Sequence, residues 1–258
     1  MRDGPVSDRK TRKARITLAG LGILTVGVLV GGGVTAGVVL DDDSSGGGSA
    51  APEATAAVSS KPSTTEQSEM TPDKARKLEL QVPTGQKDGL STGFSDGPVG
   101  AISIAVHFWE EYAFLDDRKA RQQLEAIVTP DAAGYVDEQV SEVRKLRESA
   151  GLPPSGGTPA GITFSTTVNA VRPTSLDKAG KVVQIWINFD RYAAKLDGVS
   201  DGEPLRDQTV DLVLKAQDGG WKITNEPEYH EKRSFPRAYD PDSHVSWLDG
   251  WRQVRHVD

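Results

Sequence analysis

The stretch Asp211–Tyr229, "DLVLKAQDGGWKITNEPEY", decides how this chain folds. Apolar and polar residues alternate up to Asp218-Gly219-Gly220, and Trp221 restarts the alternation. A period of two sends successive side chains to opposite faces of a strand. Glycine at the break supplies the positive φ that a tight hairpin turn demands. The segment therefore reads as two antiparallel strands and a short turn.

The same period recurs upstream. "GITFSTTVNAVR" (161–172) alternates Ile162, Phe164, Thr166, Val168 and Ala170. "KVVQIWINFDRY" (181–192) places Val183, Ile185, Ile187 and Phe189 on one side and Val182, Gln184, Trp186 and Asn188 on the other. "QTVDLVLKAQ" (208–217) groups Val210, Leu212, Leu214 and Ala216. The connections are short, which favours antiparallel pairing.

Before these strands the period is helical. In "VGAISIAVHFWEEYAFL" (99–115), Val99, Ile102, Val106, Trp109 and Ala113 recur at steps of three and four. A second short helix (118–128) turns Ala120, Leu124 and Ile127 inward. A third (129–151) is expected to start at Thr129 as N-cap with Pro130 at its first position, and to close at Gly151. Helices followed by a run of strands indicate α+β: three N-terminal helices packed on a curved four-stranded antiparallel sheet.

Composition locates this domain in the chain. Ile16–Leu40 is 25 residues without a charge, long enough to cross a bilayer with some tilt. Basic residues Arg9–Arg15 precede it and Asp41–Asp43 follow, which keeps the N-terminus cytoplasmic and everything after Leu40 outside. A cleaved signal peptide is the competing reading, with "VTA" (34–36) as a tolerable cleavage sequence. The run exceeds the usual apolar region of such peptides, so a single-pass anchor in the cell membrane is expected. Gly20, Gly27 and Gly31 fall near one helix face and mark it for close packing against a second copy.

Residues 41–97 are rich in Ser, Gly, Ala, Pro and Thr and read as a flexible linker with a reach of about 40 Å. Pro72–Pro83 within it is able to dock as a short helix or strand. The expected organisation is thus a basic stub (1–15), a transmembrane helix (16–40), a linker (41–97), the α+β domain (98–229) and a tail (230–258) carrying a short amphipathic helix.

Charge and composition also exclude several functions. The net charge of −7 divides into +4 over residues 1–40 (six Lys/Arg, two Asp/Glu) and −11 beyond. So acidic a domain repels phosphate backbones, and no direct nucleic-acid binding is expected. The chain has no cysteine, which removes disulfides, thiolate catalysis and Cys-ligated zinc. The four histidines, at 107, 230, 244 and 256, show no metal-ligand spacing, and His107 reads as a half-exposed helix residue. Neither a phosphate-cradling loop nor a nucleophile elbow occurs. No cofactor and no metal are expected.

The best catalytic candidate is the end of "NFDRY". Asp190 and Tyr192, with Asp211 on a later strand, supply a carboxylate and a phenol able to move a proton in an apolar cavity. The plainer reading has Asp190 and Arg191 leaving the sheet together and pairing in solvent. In the tail, Trp247 and Trp251 are either ballast folded back over the domain or a docking surface for a protein partner.

The order of stub, membrane helix, linker, helices, four strands and a Trp-led last strand resembles one known protein type. It is similar to the bitopic assembly-scaffold subunits of type IV secretion and conjugation machines, whose exported domain has a nuclear-transport-factor-2-like (cystatin-like) fold. The resemblance covers Val99–Tyr229 and carries no residue-level motif. It implies a non-enzymatic scaffold of a DNA-transfer apparatus that contacts copies of itself and other membrane or secretion-channel proteins. A homo-oligomer is expected on this reading. The rival it leaves open is a surface-tethered ligand-binding or isomerase-like cone of the same fold, with Asp190, Tyr192 and Trp186 in its pocket.

Overall fold

The computed structural model describes residues 70–195 and 204–257. Among these no helix is long and apolar enough to cross a membrane. The Ile16–Leu40 run and its glycines Gly20, Gly27 and Gly31 lie outside the described residues.

Three short strands come first: β1 (Leu78–Glu79), β2 (Gly85–Lys87) and β3 (Leu90–Thr92). Helices α1 (Pro98–Glu111), α2 (Asp117–Ile127) and α3 (Ala133–Ser149) follow, and then β4 (Ile162–Ser175), β5 (Val182–Lys195), β6 (Leu205–Gln217) and β7 (Gly220–Ile223). The chain finishes with α4 (Pro227–His230), α5 (His244–Asp249) and β8 (Arg252–Arg255).

The expected four-stranded antiparallel cone is corrected on this evidence of pairing. The main sheet has six strands in the order β1-β8-β4-β5-β6-β7 and is mixed, and β2-β3 form a second, separate sheet. β8 pairs antiparallel with β4 and parallel with β1, at Leu78↔Val254 and Glu79↔Arg255. Both added strands are too short to show a period of two, and each is recruited from a segment distant in sequence. The sheet curls at two register shifts, between Val168 and Ala170 and between Phe189 and Arg191, where bulges increase local twist.

The Asp211–Tyr229 hairpin forms with β6 paired to β7 and Gln217 opposite Gly220. Its turn is the two-residue Asp218-Gly219, both left-handed at φ 53° and 75°, which matches the twist of the flanking strands. Asp88-Gly89, at φ 55° and 76°, makes the same turn between β2 and β3. The expected flexible linker therefore gives way to ordered structure before residue 97. The chain from Met70 onward carries three strands, and Leu80 and Leu90 are buried in the core.

The helix boundaries follow local hydrogen bonds. Asp116 caps α2 by accepting from the Arg118 and Lys119 amides. α3 starts at Ala133, four residues later than Thr129, because Thr129 is engaged elsewhere: its N–H donates to the Ile223 carbonyl at 2.9 Å, extending the edge of β7. Past Ala150 the helix closes with Gly151 N–H on Glu148 O and Leu152 N–H on Arg147 O, the paired bonds of a Schellman stop.

Two buried charges fix the loop that follows. Asp117 accepts from Arg144 Nε (3.0 Å), Ser155 Oγ (3.1 Å) and Gly156 N–H (2.8 Å). Arg147 donates to the carbonyls of Leu115, Pro153 (2.8 Å) and Gly157 (2.7 Å). Each replaces lost hydration with several bonds, the condition under which a buried charge is tolerated.

Helices and sheet share one core, in which Ile185, Ile187 and Phe189 of β5 and Leu212 and Leu214 of β6 meet Phe108, Leu124 and Val140. The opposite face of the sheet is also covered. Residues after β7 fold back across it, so Gln184, Asn188 and Val182 are buried although they alternate away from the helices. The tail is thus an integral layer of the fold that contributes a sheet strand as well as a short helix.

Candidate functional site

The sequence-predicted pocket residues do not converge on the helix-lined interior. Asp190, Tyr192 and Trp186 alternate with the inward residues of β5 and project to the face that the residues after β7, a C-terminal strap, fold back across. The Tyr192 hydroxyl donates to Asp190 Oδ2 at 3.0 Å, and Asp190 Oδ1 accepts the Asp207 amide at 2.9 Å. The hydrogen bond to Asp190 raises the Tyr192 phenol above its ordinary value. Trp186 donates from Nε1 to Ser234 O at 2.8 Å, and its ring centroid lies 5.7 Å from that of Phe235.

Arg191 goes the other way. The alternation that turns Ile185, Ile187 and Phe189 inward continues through it, so its guanidinium enters the interior and is 2% exposed. Its Cζ stands 3.7 Å from the Phe114 ring centroid, 5.2 Å from Phe189 and 5.5 Å from Trp109. Nε donates to Thr166 Oγ1 at 3.0 Å, and Nη2 is buried with no hydrogen-bond partner among the described residues. Burial pushes this guanidinium down to about 9, with the Tyr112 phenol opposing that shift. Tyr112 is itself raised well above its usual range by burial. A cavity of about 290 Å³ lies alongside, lined by Tyr112, Phe114, Phe164, Thr166, Glu110 and Lys119 among others. The expectation that Arg191 pairs with Asp190 in solvent is corrected: the two neighbours occupy opposite faces.

The strap is held by polar groups. Gln184 Nε2 donates to Asp211 Oδ2 at 2.8 Å, Arg233 pairs with the same oxygen at 3.3 Å, and the Ser234 amide donates to Gln184 Oε1 at 3.0 Å. Arg172 reaches Ser234 Oγ at 3.0 Å and the Asp249 carbonyl at 2.7 Å. Of the two tail tryptophans, Trp251 is fully buried, packs at a tilt against Tyr239 and donates from Nε1 to Arg237 O at 2.9 Å. Trp247 is half-buried under the Arg252 guanidinium, 3.5 Å from its ring centroid. Trp251 therefore anchors the strap, and the outward surface consists of Phe235 at 70% exposure and Leu248 at 71%, with Val245 beside them in the sequence of α5.

The histidines are less scattered than their spacing suggests. His107 and Glu110 stand one turn apart on α1, and β8 delivers His256 to them. The donor atoms of these three residues lie within 4.8 Å of one another, and no other such group of three occurs among the described residues. Sequence reading misses the set because 146 positions separate Glu110 from His256. The His-x-x-Glu spacing on an amphipathic helix was the one available signal.

No family model, curated protein or solved structure matches the chain. What fold and site define is a class: a helix-backed, curled mixed sheet, closed on its second face by an ordered C-terminal strap.

Proposed function

We propose that this chain is a membrane-tethered interaction domain, a scaffold that acts through protein–protein contacts on the extracytoplasmic side. The observation that carries the reading is the strap. A hydrogen-bonded network and the buried Trp251 hold the segment in one geometry, yet Phe235 and Leu248 project from it almost bare. Exposed large apolar groups on a rigid support cost little entropy to dock, which suits them as contact residues. The helix-facing interior, by contrast, is occupied by aromatic side chains and the Arg191 guanidinium.

In its particular form the proposal makes the chain an assembly subunit of a conjugation-type transfer machine. The basic stub, the uncharged 25-residue run and the Ser/Gly-rich segment support that form. A photo-crosslinking amino acid placed at 235 or 248 of the full-length chain in its own cells tests it. Adducts to copies of this chain or to transfer-channel membrane proteins are expected at both positions. Absence of any protein adduct at either position, with the chain present and folded, overturns the scaffold reading. Adducts only to unrelated envelope proteins overturn the transfer-machine form.

A further inference from the structure

We infer that His107, Glu110 and His256 form a binding site for a divalent cation of the zinc class, which clips the segment after β8 to helix α1. The donor set is two imidazoles and one carboxylate, a combination that suits Zn²⁺ and leaves a fourth position for water. Tetrahedral bonds of about 2.0–2.2 Å place donor atoms roughly 3.3 Å apart. Glu110 Oε2 and His256 Nε2 already stand at 2.8 Å, and the whole set spans no more than 4.8 Å. Closure requires only a small swing of His256, which is exposed and lies beyond the last strand.

The surroundings hold the donors ready. Glu110 Oε1 accepts the Val168 amide at 2.9 Å, which orients the carboxylate and leaves Oε2 directed at His256. The His107 ring is stacked on Phe94, with centroids 5.2 Å apart and planes at 28°. The two imidazole rings meet edge-on with centroids 5.5 Å apart, so neither blocks the space between them. An ordinary Glu–His ion pair uses Glu110 and His256 but gives no reason for the second imidazole to face the same point.

The test is zinc titration of the metal-stripped full-length chain by calorimetry, with Co²⁺ absorption as a second readout. One ion per chain is expected, with visible bands of a low-coordinate nitrogen–oxygen site. His256→Ala and Glu110→Gln should each weaken binding at least about 10-fold. Glu110→Gln preserves an acceptor for Val168, and His256 is exposed, so both variants keep the fold. His244→Ala, whose ring contacts Met70 O at 2.7 Å away from the cluster, should leave affinity unchanged. Binding that survives His256→Ala, or no saturable uptake below roughly 100 µM Zn²⁺, overturns the inference.

Discussion

Replacing Arg191 with methionine should make the protein more stable, not less. The guanidinium is fully enclosed and, among the described residues, has no carboxylate partner and leaves Nη2 unsatisfied. A fall from the ordinary guanidinium range to about 9 corresponds to a penalty of roughly 5 kcal/mol on the charged form. Against this stand the Phe114 face at 3.7 Å, worth about 2 kcal/mol when desolvated, and the Thr166 hydrogen bond, worth about 1 kcal/mol. Methionine has similar length, no charge to desolvate, and a sulfur that packs well on aromatic rings. Thr166 borders the 290 Å³ cavity, so water can replace its lost partner. The balance is a gain of about 2 kcal/mol, or roughly 5 °C in a domain of this size. Urea unfolding of the full-length chain at pH 7, followed by tryptophan fluorescence, measures it, and an unchanged m-value shows that the denatured state is the same.

The pH dependence is a second check on the same reasoning. Below about pH 9 the folded and unfolded forms both hold the Arg191 proton, and the full penalty is present. Above it the folded form releases the proton while the unfolded form keeps it up to the ordinary guanidinium range, so wild-type stability rises relative to the variant. The gap between the two proteins should narrow as pH increases through 9. A methionine variant less stable by 1 kcal/mol or more, with a gap indifferent to pH, would falsify the argument and point to a buried partner for the arginine.

Two further substitutions probe the strap and the loop. Trp251→Ala should cost about 3–5 kcal/mol and open the strap to trypsin at Arg233 and Arg237, while Trp247→Ala should cost about 1 kcal/mol or less. Equal losses in thermal melts would contradict the anchoring role assigned to Trp251. Asp117→Asn should cost about 2 kcal/mol at pH 7, since it weakens the bonds from Arg144, Ser155 and Gly156. Burial works to raise this carboxyl, but those three groups outweigh burial and hold it below its usual value. Its contribution is therefore complete above the unfolded value near 3.9 and disappears as pH falls through the folded one. The variant and the wild type should converge in acid, and a constant difference down to pH 2 would show that the charge is irrelevant.

The legibility of the fold tracks how local its causes are. β4, β5 and β6 each run for 13 or 14 residues, long enough for side-chain alternation to declare a strand and its faces. The β6–β7 turn is equally plain, because only a few residues tolerate two successive positive φ angles. That rule applies equally to Asp88-Gly89, yet the polar composition around it reads as linker, since β2 is exposed and buries nothing. Arg191 was also within reach: the alternation from Ile185 to Phe189 points it inward, and only the habit of placing charges in solvent argues otherwise.

What the sequence determines alone, then, is whatever a repeating pattern or a turn residue expresses within a dozen positions. The uncharged run at 16–40, the three long strands and the helical periodicity before them are of this kind. Tertiary structure decided the rest. The parallel β1–β8 pair joins residues about 176 positions apart, the strap buries a sheet face that alternation assigns to solvent, and His256 meets α1 across the whole domain. Such contacts depend on complementary surfaces meeting once the core has formed. The segments involved are too short or too irregular to carry a period, so their local sequence gives no sign of the partner.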